Sequence, residues 1–253
     1  MPTVLVCLAV SAWFTLDIIF SGPLRGFDHA VATWIAGFGA RQHVVSEVPL
    51  WVLSQFGGRA TIVICMSVLV IYLARSRRTW QPVFRLLAAL ALLTIVVYAF
   101  KLGIGRTAPS YLGGADLLHT STGQSYPSGH TANAVLMWGL AAWLASEYGM
   151  AAGWVRFFRG LAAAAGVVAS LAMLVLNYHW LTDLVVGITV GVVLLRILHA
   201  VFAGRLGDLG GGRGDGTPAR AGSAGPVGSG RVGERAGVGG VDRHPLRGAG
   251  GVG

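Results

Sequence analysis

The sequence predicts an all-α integral membrane protein: a bundle of six membrane-spanning helices followed by a disordered C-terminal tail. Three observations carry this reading. The chain is 54% hydrophobic and only 11% charged, whereas a soluble domain holds roughly 25% charged residues. The charges gather into clusters separated by apolar runs, each near the length a helix needs to cross a hydrocarbon layer of roughly 30 Å. The last stretch, 204–253, is built largely of Gly, Ala, Arg and Pro. It lacks apolar periodicity and cannot bury a core, so the chain divides into a membrane domain, 1–203, and a tail, 204–253.

The elements follow in order. Residues 3–20 form the first apolar run, interrupted only by Asp17. With no basic leader or small-residue cleavage site, the run reads as a retained span and not as a signal peptide. Residues 27–38 carry apolar side chains at helical spacing with Asp28 and His29 on the other side, which predicts a helix lying in the interface. Gly57-Gly58-Arg59 breaks the pattern, and 60–74 is a short second span entered from about Val52. The basic cluster Arg75-Ser76-Arg77-Arg78 closes it, and the third span, 83–100, is bounded by Arg85 and Lys101. Those two cations are about 24 Å apart along a helix and so can reach opposite edges of the bilayer. A polar loop, 103–126, leads to a fourth span at 128–145, a fifth at 158–176 and a sixth at 179–201.

The net charge of +9 comes from eighteen Arg and one Lys. Many of these flank apolar spans, as topology signals do. They do not interleave with aromatics on a polar face, which argues against nucleic-acid binding. Cys7 and Cys65 both lie in apolar runs, so neither a disulfide framework nor a cysteine metal site is indicated. The excess of arginine at 75–85, 156–159 and 205 assigns those ends, and the tail, to the cytoplasm. The exit of the third span and the starts of the fourth and sixth then share the opposite face.

That shared face collects the chemistry. Tyr126-Pro127-Ser128-Gly129-His130 turns a glycine-rich loop into a long apolar helix, and such a start offers free N–H groups and a positive dipole end to an oxyanion. Parity brings Lys101, Ser128, Gly129, His130, His179 and Asp183 to one depth. His179 and Asp183 are four residues apart, one helical turn. A carboxylate there can accept an imidazole N–H and leave the other nitrogen free as a nucleophile. His130 can act as general acid on a leaving oxygen, while Lys101 and the N–H groups of the 128–130 turn hold phosphate oxygens. These are the parts for phosphoryl transfer through a phosphohistidine, with no metal and no cofactor.

On these residues the chain resembles the type 2 phosphatidic acid phosphatase family, membrane lipid phosphatases related to the vanadium haloperoxidases. The resemblance covers roughly residues 1–203. The family's motifs are K-x6-R-P, P-S-G-H and S-R-x5-H-x3-D. The second is intact at Pro127 to His130; the third keeps His179, Trp180 and Asp183; the first keeps Lys101 and Pro109. Two departures stand out: the first motif's arginine falls on Ala108, and the third motif's Ser-Arg falls on Ala172-Met173. In the family both arginines hold phosphate oxygens. Arg106, two residues before Ala108, is placed to move into the gap, although many relatives carry an arginine there as an ordinary loop residue. Asn177 and Tyr178 offer neutral hydrogen bonds near Met173, and His119 is a weaker loop candidate.

The resemblance implies a membrane lipid phosphate or diphosphate phosphohydrolase at the outer face of the cell membrane. Catalysis is expected from His179, His130 and Asp183, and phosphate binding from Lys101, Arg106, Ser128 and Gly129. Two alternatives stay open: a lipid phosphotransferase using the same intermediate, and a catalytically weak lipid-binding or transport protein. The partner expected is a lipid phosphate substrate in a membrane, with no nucleic acid.

Overall fold

A computed structural model of the chain describes residues 2–112 and 123–210. The loop residues Asp116 and His119, and the tail from 211 on, lie outside the described residues. The elements are helical: α1 (Pro2–Ile19), α2 (Pro23–Ala36), α3 (Val44–Ser54), α4 (Arg59–Arg77), α5 (Gln81–Ile104), a single 3-10 turn (Pro109–Leu112), α6 (Gly129–Glu147), α7 (Ala152–Val175) and α8 (Leu181–Gly210). Proline opens α2 and stands in the first turn of α5, where its missing N–H is harmless. Helix α5 stops at Gly105, whose φ of 62° suits glycine and whose N–H returns to the Lys101 carbonyl.

Six helices make the bundle. Helices α1, α5 and α7 end at one face, where Thr15 bonds Tyr126 and where Lys101 and Met173 open on a common cavity. Helices α4, α6 and α8 start there, from Arg59, His130 and the residues around His179. The opposite end collects arginines: Arg77 donates to the Gly149 carbonyl at 3.4 Å, and Arg85 pairs with Glu147 at 2.8 Å. Large apolar side chains such as Trp13, Ile64, Val68, Phe84, Ile95 and Leu171 are exposed around the outside, the surface a bilayer covers.

Five stretches are apolar and long enough to cross a membrane: Pro2–Ile19, Val44–Arg77, Gln81–Ile104, Ala152–Val175 and Leu181–Ala203. Helix α6, the expected fourth span, is not among them. His130, Thr131 and Asn133 occupy its first turns, and it runs through the middle of the bundle, where Leu136, Met137, Leu140 and Leu144 are fully buried. A helix screened from lipid by its neighbours does not need a lipid-compatible surface. The second span also differs from expectation, because a separate helix, α3, precedes the Gly57-Gly58 break.

Packing between α6 and α8 depends on two glycines one turn apart. A Cβ on Gly187 would lie 2.8 Å from the Ser128 carbonyl oxygen and 3.0 Å from Thr131 Cβ. One on Gly191 would lie 2.9 Å from the Ala132 carbonyl oxygen. This small-xxx-small spacing lets two membrane helices approach backbone to backbone. Arg85 departs from the expectation of an edge cation: it stands at the end of α5 away from the cavity, but it turns inward. It is completely buried against Glu147, with its guanidinium 4.6 Å from the centre of the Trp143 ring. A nearby carboxylate and an aromatic face offset its charge better than the distant headgroups would.

Gly187→Ala is expected to lower the thermal midpoint of the purified protein, because overpacking against backbone costs about 1–3 kcal/mol. Gly160→Ala in α7 is the control. Nothing lies within 4 Å of its Cβ, and alanine is better in a helix by roughly 0.5–1 kcal/mol, so its midpoint should hold or rise. Thermal unfolding followed in detergent micelles compares the two.

Candidate active site

The start of α8 is held by carboxylates. Asp183, in its first turn, reaches back to accept the Trp180 N–H at 3.1 Å, as an N3 acid does in a capping box. Asp28 reaches across from α2 and accepts the Thr182 N–H at 3.1 Å, and it also accepts the Thr182 hydroxyl. Both carboxylates are buried, and the helix dipole favours negative charge at this end.

Between them lies Arg106. Its guanidinium donates to Asp183 at 2.8 Å, to Asp28 at 2.7 Å and to the Thr182 hydroxyl at 2.7 Å. It also lies over the Trp180 ring, 4.9 Å from the centroid. Trp180 is fixed in turn by its indole N–H, which donates to the Thr107 carbonyl at 2.8 Å, and by the His29 ring at 4.6 Å. Arg106 is not among the residues that line the cavity described below. Its donors serve the carboxylates behind the site, so it does not stand where the substituted motif arginine would.

His179 precedes α8 rather than riding on it. Its Nδ1 lies 3.5 Å from Asp183 Oδ2, and only 8% of the residue is exposed. The separation leaves the Nδ1 N–H without a formed hydrogen bond, a looseness common at unliganded catalytic pairs. The Ser128 N–H donates to the Asp183 carbonyl at 3.0 Å, tying the α6 start to the α8 start. Ser128 caps α6, with its hydroxyl accepting the Thr131 N–H at 3.4 Å. It is fully buried and sits behind the cavity wall. Tyr126 supports the same loop through Thr15 at 2.7 Å. Burial pushes its phenol up to about 12, so it stays neutral as a hydrogen-bonding group.

These elements enclose a cavity of about 380 Å³. His179, His130, Gly129 and Lys101 line it together, and so do Ala108 and Met173, the two substituted motif positions. Arg59 and Asn133 add polar groups, and Trp51, Leu93, Val97 and Tyr98 make an apolar side. No carboxylate is among the lining residues. Lys101 donates its ammonium to the Gln124 carbonyl. Of the two neutral candidates, Tyr178 lines the cavity and Asn177 does not. Burial pushes the Tyr178 phenol up and the charge of Glu47 pushes the same way, while Arg41 opposes them. Among the described residues, no three His, Cys, Asp or Glu side chains converge where a metal ion could sit. A larger groove of about 940 Å³ between α4, α6 and α7 is mainly apolar and holds none of these groups.

Asp28 and Arg59 are the site residues that sequence reasoning missed. The signal for Asp28 was a carboxylate on a short apolar helix, read there as solvent-facing; it is buried instead. The signal for Arg59 was a cation immediately after a glycine pair, read there only as a break.

Arg106→Ala should leave two buried carboxylates unbalanced, which costs about 3–5 kcal/mol. The thermal midpoint of the purified protein should fall accordingly, and adding Asp28→Asn should recover part of the loss. A phosphate ligand would behave otherwise, weakening substrate binding at unchanged stability.

A family model described as the PAP2 superfamily matches residues 82–206. No curated protein matches the chain significantly. Among solved structures, the fold matches a transmembrane PAP2 type phosphatidylglycerolphosphate phosphatase from Bacillus subtilis. The TM-score is 0.67 and the identity 18%, over 81% of this chain and 98% of that one.

Proposed function

We propose, from the match of residues 82–206 to the PAP2 superfamily model, that this chain is a membrane phosphohydrolase of lipid phosphates or diphosphates, working through a phosphohistidine at His179. The observation that carries the proposal is the cavity itself. Two histidines, two cations and a helix start line one space without a carboxylate, and the orienting Asp183 lies just behind it.

The steps follow from the positions. His179 keeps Nδ1–H toward Asp183 and attacks phosphorus with Nε2. A P–N bond forms as the bond to the leaving oxygen breaks, and His130 gives that oxygen a proton. Lys101 and the backbone at Gly129 hold the other phosphoryl oxygens, where charge builds in the transition state. Water then attacks the phosphohistidine. His130 takes its proton, the P–N bond breaks, and inorganic phosphate leaves with His179 restored. Arg106 and Asp28 act indirectly, holding Asp183 in place.

The apolar side of the cavity, formed by Trp51, Leu93, Val97 and Tyr98, suits the first part of a lipid chain. The arginine-rich ends of the spans, opposite the cavity, support a cavity on the non-cytoplasmic face by the positive-inside rule. One observation favours a weaker relative of this function: Ala108 and Met173 give the cavity wall no charge where the family carries arginine. The catalytically weak lipid-binding or transport protein therefore remains the competing reading. Transfer to an alcohol in place of water would use the same intermediate.

Purified protein is expected to release phosphate from at least one member of a panel holding phosphatidic acid, phosphatidylglycerol phosphate and isoprenoid diphosphates. His179→Ala should abolish that release. Asp183→Asn should reduce it strongly, with thermal unfolding measured alongside because Asp183 also holds Arg106. Turnover unchanged in His179→Ala would contradict the assignment, and no release from any lipid would favour the binding reading. A reporter fused after Leu209 should mark the cytoplasm, while cysteine labelling at 110–122 should occur from the other side; labelling of both from one side would remove the outer-face placement.

A further inference from the structure

The two neutral positions, Ala108 and Met173, open on the cavity that holds His179 and His130. A phosphate there meets Lys101 but neither motif arginine. Arg59 lines the same cavity from a different helix, as the first residue of α4. Contacts from α6 hold it there. Asn133 donates to the Gly57 carbonyl at 2.9 Å, and the Trp138 indole donates to the Phe56 carbonyl at 2.8 Å. Both donors belong to α6, so the turn before Arg59 is bound to the helix that carries His130. The turn also packs tightly: a Cβ on Gly57 would lie 2.3 Å from the His130 carbonyl oxygen. Only glycine permits that approach, and with it the start of α4 is drawn to the cavity.

The surroundings of Arg59 differ from those of Arg106 and Arg85. Arg106 is neutralised by Asp28 and Asp183, and Arg85 by Glu147. Among the described residues no carboxylate pairs with Arg59. Its guanidinium faces the Tyr98 ring at 5.9 Å from the centroid, and Tyr98 lines the same cavity. Arginine suits a phosphate because its planar fork donates two parallel bonds to two oxygens.

We propose that Arg59 is the phosphate-binding arginine of this chain, donating from the start of α4 to oxygens of the substrate phosphoryl group in place of the arginines absent at positions 108 and 173. The proposal rests on the phosphohydrolase reading for the identity of the ligand, but not for the test of binding.

The test uses the full-length protein in detergent micelles and inorganic phosphate as the probe, with binding measured by calorimetry and turnover on a lipid phosphate measured in parallel. Arg59→Gln should weaken phosphate binding and lower kcat/KM by about tenfold to a hundredfold, the worth of one charge-assisted bond, at an unchanged thermal midpoint. Arg59→Lys should fall between. Adding Ala108→Arg to Arg59→Gln should regain part of the affinity, because position 108 faces the same space; a structural role for Arg59 would not be rescued that way. Wild-type phosphate affinity in Arg59→Gln overturns the proposal, as does no phosphate binding by the wild type. A loss that tracks a fallen thermal midpoint without rescue overturns it too. If the wild type binds phosphate and Arg59→Gln binds it more weakly, yet neither releases phosphate from lipid, the phosphohydrolase reading fails and Arg59 stands. If the wild type turns over and Arg59→Gln is unchanged, the reverse holds.

Discussion

One guanidinium between two buried carboxylates holds this site together. Charges in an apolar interior interact strongly and are tolerated only when matched. Asp28 and Asp183 would repel each other and disrupt the start of α8 without Arg106 between them. With it, three separate pieces of chain are locked: α2 through Asp28, the loop after α5 through Arg106, and α8 through Asp183. The Ser128 N–H adds α6 by bonding the Asp183 carbonyl. The position of His179 follows from that lock, because its Nδ1 faces the Asp183 oxygen that already holds the Trp180 N–H. His179 is thus placed by a network that does not itself touch the cavity.

Much of the bundle was legible in the sequence, because long apolar runs bounded by arginines admit few readings. The convergence of Lys101, His130 and His179 was legible for a related reason, since counting spans decides which ends share a face. The partners of individual charges were not. Asp28 looked like the polar side of an interfacial helix, and only the fold shows α8 starting against it. Arg106 looked free to turn toward position 108, but two carboxylates that are distant in sequence attract it more strongly. Arg85 looked like an edge cation because nothing in its own helix reveals Glu147 or Trp143. Helix α6 was read as an ordinary span, whereas its polar first turn is tolerable because other helices surround it. The close contact of α8 with α6 was readable in principle from Gly187 and Gly191, whose spacing is a known packing signal.

The substituted motif positions take on a different meaning once the cavity is known. Ala108 and Met173 give its wall no charge, yet His179, His130, Lys101 and Arg59 line the same cavity. On the proposed function, the groups for breaking a phosphate ester are still together, and the change at these two positions bears on how the anion is held. A site with its cations on α4 and α5, beside an apolar side of Trp51, Leu93, Val97 and Tyr98, is suited to a phosphate that arrives attached to a hydrocarbon chain. The stability network and the binding surface are separate sets of residues, so variants of one should be distinguishable from variants of the other.

The central claim is that His179 carries the phosphoryl group during turnover. Rapid quenching of the purified protein with radiolabelled lipid phosphate, followed by peptide mapping, tests it directly. Expected is a label stable in base, labile in acid and located on His179, appearing and decaying at rates consistent with turnover. Turnover without any label on His179, or with label on another residue, would contradict it.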